Sequence, residues 1–218
     1  MADQPQQQTA KGRLLAKVRE ALLTSTPQPF PDVDPNTAFY HRSTEPLEIQ
    51  FAERFTALQG KFLYCENVRE FMVNLKALAD EQEWRHLFVW DHQLQDLFIK
   101  SNFKKARIGR DLAKADVGVT LCEALVARTG SVLLSSKLAS GRSLPIFPPV
   151  HLVVAFTDQL VDDMHAGLQL MKTKYEQKLP SMIYFATGPS RTADIEKTLV
   201  LGAHGPKEVF VFLIDKRG

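Results

Sequence analysis

The chain has little cysteine and no long apolar run. Only two cysteines, Cys65 and Cys122, occur among its 218 residues, which excludes both a disulfide scaffold and a Cys-rich zinc or iron–sulfur site. No apolar stretch approaches the roughly 20 residues that span a bilayer. The first residues, MADQPQQQ, lack the basic start and apolar core of a secretory signal. We therefore expect a cytoplasmic protein that carries no metal or redox centre of its own.

The sequence also lacks a large excess of positive or negative charge and any recognisable catalytic motif. Lys and Arg number 27 against 25 Asp and Glu, a net charge of +2, so bulk electrostatics gives no reason to expect binding to nucleic acid or to an anionic membrane. There is no HExxH, paired CxxC, P-loop or GxGxxG pattern, and no nucleophile-elbow motif. The six histidines follow no familiar metal-ligand spacing.

Proline and hydropathy patterns divide the chain near residue 45. Residues 11–23 carry apolar side chains at helical spacing, which predicts an amphipathic helix. Residues 24–46 contain five prolines, which predict an extended segment. We therefore assign residues 1–45 to an N-terminal helix and Pro-rich segment, and residues 46–218 to an α/β domain.

Short apolar runs alternate with amphipathic stretches after residue 46. Strands are predicted at residues 61–65, 86–90, 115–120, 131–135, 150–156, 182–186 and 209–214, and helices at 47–58, 68–78, 93–99 and 159–175. Several of these strands are apolar on both faces, which is typical of a parallel sheet covered by helices on each side. The pattern predicts a single open, mainly parallel sheet of the doubly wound α/β type, with a small β excursion around residues 116–150.

The clearest local motif is TGPSRTADIE at residues 187–196. It follows a predicted strand, and we expect it to open a helix at the carboxyl edge of the sheet, where ligands collect. Gly188 permits a sharp turn, Ser190 or Thr192 can cap the helix, and Arg191 can clamp an anion. A capped helix without any ligand, with Asp194 and Glu196 complementing its dipole, is an equal alternative.

Two further segments carry candidate side chains. Arg128, Thr129 and Gly130 form a Gly-containing turn, and Glu123 just before it could act as base or nucleophile. A simple hairpin turn with a solvated Glu123 is the favoured interpretation. Arg142 lies in a Gly- and Pro-containing loop of the kind that grips anionic substrates. His151 is expected to be a hydrogen-bonded structural residue.

Three ordered blocks of sequence resemble one known family. The blocks are GPSRTADIE at 188–196 with the following HGP at 204–206, DVGVT at 116–120 with RTGS at 128–131, and RSL at 142–144 with PPVH at 148–151. Together they resemble the lactate-utilisation protein C family of LUD-domain proteins. The resemblance implies a fold similar to the group of ribose isomerases and CoA transferases.

The resemblance also implies a role in oxidising L-lactate to pyruvate beside two partner subunits. One partner would be rich in Cys-Cys-Gly motifs and the other would bind iron–sulfur clusters, so the electrons would pass through the partners. Many relatives have Glu-Thr-Gly-Thr where this chain has Arg-Thr-Gly-Ser at residues 128–131. A catalytic carboxylate at position 128 is therefore absent. We instead expect Arg128, Arg142 and Arg191 to face a small carboxylate or phosphate.

Two functions remain open at this point. The first is an accessory subunit of an iron–sulfur lactate-oxidising complex that binds partners and a small anion. The alternative is an autonomous α/β enzyme acting on a phosphorylated or CoA-linked small molecule. Neither the residues nor the resemblance decides whether this chain catalyses a step.

Overall fold

A computed structural model describes residues 9–23, 43–176, 178–193, 199–201 and 204–216. The chain divides into two units, residues 1–42 and 43–218. In the first unit, helix α1 (Ala10–Leu23) confirms the predicted helix, and none of its residues is buried. The Pro-rich segment falls in residues 24–42, outside the described residues. No helix in the described part of the chain is long and apolar enough to cross a membrane.

The second unit is built on a six-stranded sheet in which every strand pair is parallel. Its strands, in spatial order, are β1 (Lys61–Cys65), β12 (Glu208–Ile214), β7 (Val150–Phe156), β4 (Val117–Leu121), β2 (Leu87–Val89) and β3 (Ala106–Arg107). The mainly parallel α/β sheet predicted from the apolar strands is therefore confirmed. Both faces of the central strands are buried, as a covered parallel sheet requires.

One face of this sheet is covered by helices α3 (Val68–Glu81) and α4 (His92–Lys100). Each helix begins at a side-chain cap. Asn67 Oδ1 accepts from Glu70 N at 3.0 Å, and Asp91 Oδ1 accepts from Gln93 N at 3.0 Å. Their apolar stripes pack on alternate residues of the central strands, Val150, Leu152 and Val154 among them.

The opposite face is covered mainly by a second sheet. Its order is β8 (Leu160–Val161), β5 (Ala124–Val126), β6 (Ser131–Ser135) and β9 (Ile183–Ala186). Helix α2 (Leu47–Ala57) packs beside it in the same apolar cluster. The small excursion expected around residues 116–150 is thus a complete four-stranded layer that recruits strands from as far along the chain as residue 186. A strand's neighbours are set by tertiary packing, so its local sequence did not reveal this layer.

The predicted helix over residues 159–175 begins later than expected. Leu160 and Val161 pair with strand β5, and helix α5 (Met164–Tyr175) starts where the Asp163 carboxylate accepts from Ala166 N at 2.8 Å. Met171 is buried, whereas Met164 and Leu168 are 43% and 41% exposed. The capping aspartate and the strand pairing together decide where this helix begins.

Candidate functional site

The motif at residues 187–196 does not open a helix. Residues 191–193 instead form strand β10 (Arg191–Ala193), which pairs antiparallel with β11 (Leu199–Leu201). The motif follows β9 of the smaller sheet, so it does not lie at the carboxyl edge of the parallel sheet. Thr192 lies in β10, while Asp194 and Glu196 are outside the described residues. The helix N-terminus on which the anion-site hypothesis depended is therefore absent from residues 188–193.

The start of this motif packs against two other segments. Gly188 has φ of +80°, and a Cβ there would lie 2.8 Å from the carbonyl oxygen of Leu58. Ser190 N donates to Pro206 O at 2.9 Å, and a Cβ on Gly205 would lie 2.9 Å from Ser190 Cβ. Gly205 therefore lets the HGP block approach the GPS block closely, and Gly188 lets the GPS block approach Leu58.

These blocks border a cavity of about 200 Å³ between the two sheets. Its apolar lining comes from Leu134, Pro145, Ile146, Ala186, Pro206 and Val209. Its polar lining comes from His151, Tyr184, Ser190 and His204, and Gly188 and Gly205 complete it. None of these described lining residues is Lys, Arg, Asp or Glu. The cavity is therefore apolar with a few polar groups, the usual character of a small-molecule site, and it is smaller than the roughly 300–1,000 Å³ typical of drug-sized ligands.

His151 contributes a buried imidazole to this cavity. It stands near the start of β7, is 1% exposed, and its Nε2 lies 2.8 Å from Thr120 Oγ1 of the neighbouring strand β4. Burial lowers the pKa of His151 to about 3, because the low-dielectric interior disfavours the charged ring. The histidine is therefore neutral near pH 7, and the expectation of a hydrogen-bonded core histidine agrees with its geometry.

Gly118 explains how the loop at 136–149 reaches the cavity. A Cβ on Gly118 would lie 2.4 Å from the Leu144 carbonyl oxygen and 3.0 Å from Pro148. Only a residue without a side chain lets this loop cross strand β4 so closely. The loop then places Pro145 and Ile146 in the cavity wall. The DVGVT and RSL blocks are thus spatial neighbours.

Tyr184 is the most unusual polar group in the cavity, and no sequence motif points to it. Tyr184 lies on β9 opposite Leu134 of β6, so both side chains face the main sheet. Its hydroxyl is buried and has no hydrogen-bond partner in the described structure. Burial raises the pKa of Tyr184 to about 12, so it remains a phenol that can donate. The local sequence MIYFA gives no sign of this, because only the pairing of β6 with β9 decides which face the residue occupies.

Glu123 lies in a different place from the cavity and is not solvated, so the favoured interpretation was wrong on this point. Its side chain is fully buried. Oε1 accepts from Ser135 Oγ at 2.5 Å and from Tyr175 OH at 2.7 Å, and Oε2 pairs with Lys174 Nζ at 2.7 Å. Partial burial lowers the pKa of Lys174, but the hydrogen bond and charge of Glu123 outweigh it and leave that pKa raised.

This arrangement satisfies both oxygens of the Glu123 carboxylate. Ser135 is on β6, and Lys174 and Tyr175 are at the end of α5, so the group fastens the helix to the small sheet. The side chain does not line the cavity. The hairpin turn itself was predicted correctly, since Gly130 adopts the left-handed conformation with φ of +59° between β5 and β6.

The three candidate arginines do not line the cavity in the described structure. Arg142 Nη2 donates to Ser181 Oγ at 2.7 Å, and Ser181 lies just before the first residue of β9. Arg128 lies in the turn near the last residue of β9, at the opposite end of the strand. Arg191 Nη2 donates to the carbonyl oxygen of Leu58 at 2.8 Å. Four strand residues separate the Arg142 and Arg128 ends by more than about 10 Å. Arg142 therefore lies away from Arg128, and the three arginines do not meet at the cavity as expected.

Thr129 belongs to a small hydroxyl cluster at the same turn. Ser131 Oγ donates to Thr129 Oγ1 at 2.8 Å, and it lies 2.8 Å from Thr187 Oγ1. This cluster joins the turn to the segment just before Gly188. In the part of the chain that the structure describes, no group of three or more His, Cys, Asp or Glu side chains is arranged to hold a metal ion.

Comparison with known proteins gives a consistent family. The family model described as the LUD domain matches residues 49–214. A lactate utilization protein C from Bacillus velezensis is 32% identical over 186 residues, covering 80% of this chain and 73% of that protein. Another from Shouchella clausii is 36% identical over 104 residues, covering 47% and 45%. This chain spans about half the length of several curated relatives that it matches.

A solved structure resembles the fold. The crystal structure of a DUF162 family protein from Deinococcus radiodurans superimposes with a TM-score of 0.58 at 18% sequence identity. The match covers 77% of this chain and 96% of that one. At this identity the likeness concerns the fold alone.

Proposed function

The chain belongs to the lactate-utilisation protein C family of LUD-domain proteins, and on that premise we propose that it serves lactate utilisation as an accessory subunit of an L-lactate-oxidising complex. The family match over residues 49–214, joined by a relative matched over 80% of this chain, is the observation that carries the proposal. In this proposal iron–sulfur and Cys-Cys-Gly subunits carry the redox cofactors and convert L-lactate to pyruvate.

The thiols of this chain support an accessory role. An iron–sulfur cluster is held by about four thiolates, and the sequence has two cysteines. Both are buried. Burial raises the pKa of Cys65, and it does so more strongly for Cys122. Electrons from lactate would therefore travel through partner subunits.

Helix α1 supplies a surface suited to binding a partner. Leu14, Leu15, Val18 and Leu22 recur at helical spacing along α1, so the helix itself carries an apolar face. An amphipathic helix binds readily by placing its apolar face in a groove of a partner. In this proposal α1 is the element that holds the partner subunits.

The test is an affinity purification of the tagged full chain from lactate-grown source cells. We expect stoichiometric co-purification of an iron–sulfur protein and a Cys-Cys-Gly protein, identified by mass spectrometry and by the visible absorbance of the clusters. A Leu15→Glu/Leu22→Glu variant should lose these partners. Lys17→Glu, a substitution on the polar side of the same helix, is the matched control and should retain them.

A second readout tests the pathway without relying on purification. Deletion of the gene should abolish growth with L-lactate as carbon source and leave growth on glucose unchanged. The parent chain and Lys17→Glu should restore growth. Normal growth of the deletion strain on L-lactate, together with a colourless protein that elutes alone, would contradict the proposal.

A further inference from the structure

We propose that the cavity between the two sheets binds one small uncharged molecule whose carbonyl or hydroxyl oxygen accepts a hydrogen bond from Tyr184. The inference depends on the cavity and its lining, not on the lactate-utilisation role. It also differs from the anionic ligand expected from the sequence, because it specifies a neutral group inside the cavity.

The Tyr184 hydroxyl indicates where the ligand binds. Tyr184 lines the cavity, and its hydroxyl is buried and has no hydrogen-bond partner in the described part of the chain. Buried polar side-chain atoms nearly always have a partner, since leaving one unpaired is costly. A ligand oxygen beside this hydroxyl would remove that cost on binding.

The absence of charge on the lining indicates what kind of ligand fits. The described lining contains no acidic side chain, lysine or arginine, and His151 is neutral near pH 7. Arg191, the cation nearest in sequence to the lining residue Ser190, donates to Leu58 O. A carboxylate or phosphate buried here would lose its hydration and would find no paired cation among the described lining residues. A neutral carbonyl or hydroxyl group avoids this cost.

The walls set the size of the ligand and its route of entry. The apolar wall and the volume of about 200 Å³ suit a short aliphatic body with a single polar group. Ile146 is 36% exposed and His204 is exposed, so these lining residues connect the cavity to solvent. A ligand can therefore reach the cavity from the surface beside Ile146 or His204.

The experiment compares two probes of equal size that differ in charge, propionamide and propionate. Methyl NMR spectra of the full chain, labelled at Ile, Val and Ala methyl groups, report binding through Ile146, Ala186 and Val209. We expect propionamide to shift these signals saturably and propionate to bind at least about tenfold more weakly. The same titration with L-lactate shows whether the family's carboxylate substrate enters this cavity.

Variants connect the binding to the proposed contact. Tyr184→Phe keeps the ring and removes the hydroxyl, so propionamide should bind about fivefold more weakly. Tyr64→Phe makes the same chemical change on β1, outside the cavity, and should leave the affinity unchanged. Ala186→Val narrows the cavity and should also weaken the binding of propionamide.

Three results would overturn the proposal. The first is the absence of a saturable shift with propionamide, which would mean that the cavity holds only water. The second is binding of propionate or L-lactate as tight as that of propionamide. The third is an unchanged affinity for propionamide in Tyr184→Phe. Tight L-lactate binding would refute the neutral-ligand inference while supporting the role in lactate utilisation. Failure to recover partner subunits would refute that role and leave the cavity result unaffected.

Discussion

Lowering the pH from 7 to 5 should destabilise this protein through His151, a buried residue that must stay neutral in the folded state. Its pKa is about 3 in the fold, against about 6.5 in an unfolded chain. A basic group with a depressed folded pKa contributes its full stability above the unfolded pKa, and loses it as the pH falls from about 6.5 towards 3. At pH 5 the linkage relation gives a loss of about 2 kcal/mol in the free energy of unfolding.

The assay is urea unfolding of the parent and of His151→Gln at pH 7, 6 and 5. Glutamine keeps a polar group that can reach Thr120 but does not titrate in this range. Any cost of losing the imidazole is therefore the same at each pH. Between pH 7 and 5 the parent should lose about 2 kcal/mol more than the variant, because carboxylates common to both titrate equally and cancel in the difference.

His92→Gln is the matched control, because His92 is solvent-exposed at the start of α4. This variant should show the same pH dependence as the parent. Equal pH dependence for the parent and His151→Gln would refute the reasoning. It would mean that the folded protein accepts a proton on this imidazole near its ordinary pKa, and that the ring is hydrated instead of buried.

Three further substitutions test the cavity and its supports by thermal or urea unfolding. Tyr184→Phe removes a buried hydroxyl that has no partner among the described residues, so the ligand-free protein should become more stable by about 1 kcal/mol. Lys174→Met leaves the buried Glu123 carboxylate without its cation, and should cost about 1–3 kcal/mol near pH 7. Gly118→Ala forces a Cβ into the loop that crosses strand β4, and should cost about 1–3 kcal/mol.

Each of these has a control with the same chemical change. Tyr64→Phe should slightly destabilise, because the Tyr64 hydroxyl donates to Asp215 Oδ2 at 3.1 Å. Lys172→Met, at an exposed site on the same helix, and Gly109→Ala, whose Cβ would find ordinary contacts, should change stability little. A destabilised Tyr184→Phe would show that its hydroxyl has a structural partner. The predictions for Lys174→Met and Gly118→Ala would be wrong if these variants lose no more stability than their controls, Lys172→Met and Gly109→Ala.

Much of the parallel sheet could be predicted from local sequence. Strand β7 is predicted with its observed ends because VHLVVAF is apolar on both faces, which is favourable only in a sheet covered on both sides. Helix starts were less certain. The apolar spacing at 159–175 predicted a helix that includes Leu160. In the structure Leu160 pairs with β5, and the helix begins only after its N-cap residue, Asp163.

The candidate site was only partly visible in the sequence. Gly188 and Ser190 do line the cavity, whereas the candidate arginines bind elsewhere or lie at other ends of the small sheet. The proline and acids near residue 190 favour a helix start locally. Backbone pairing of residues 191–193 with 199–201 instead makes this segment a strand. Local preferences of this kind are weak beside cross-strand hydrogen bonds.

By itself, the sequence determined the α/β class, the parallel strands and the family, because these depend on periodicity and on blocks of adjacent residues. The tertiary structure alone decided the second sheet, the burial of Glu123 and the cavity. The cavity walls come from five segments between residues 134 and 209, and the partner that each side chain finds depends on which strands become neighbours. The physical reason is that burial and hydrogen bonding between distant segments are not encoded in any local pattern.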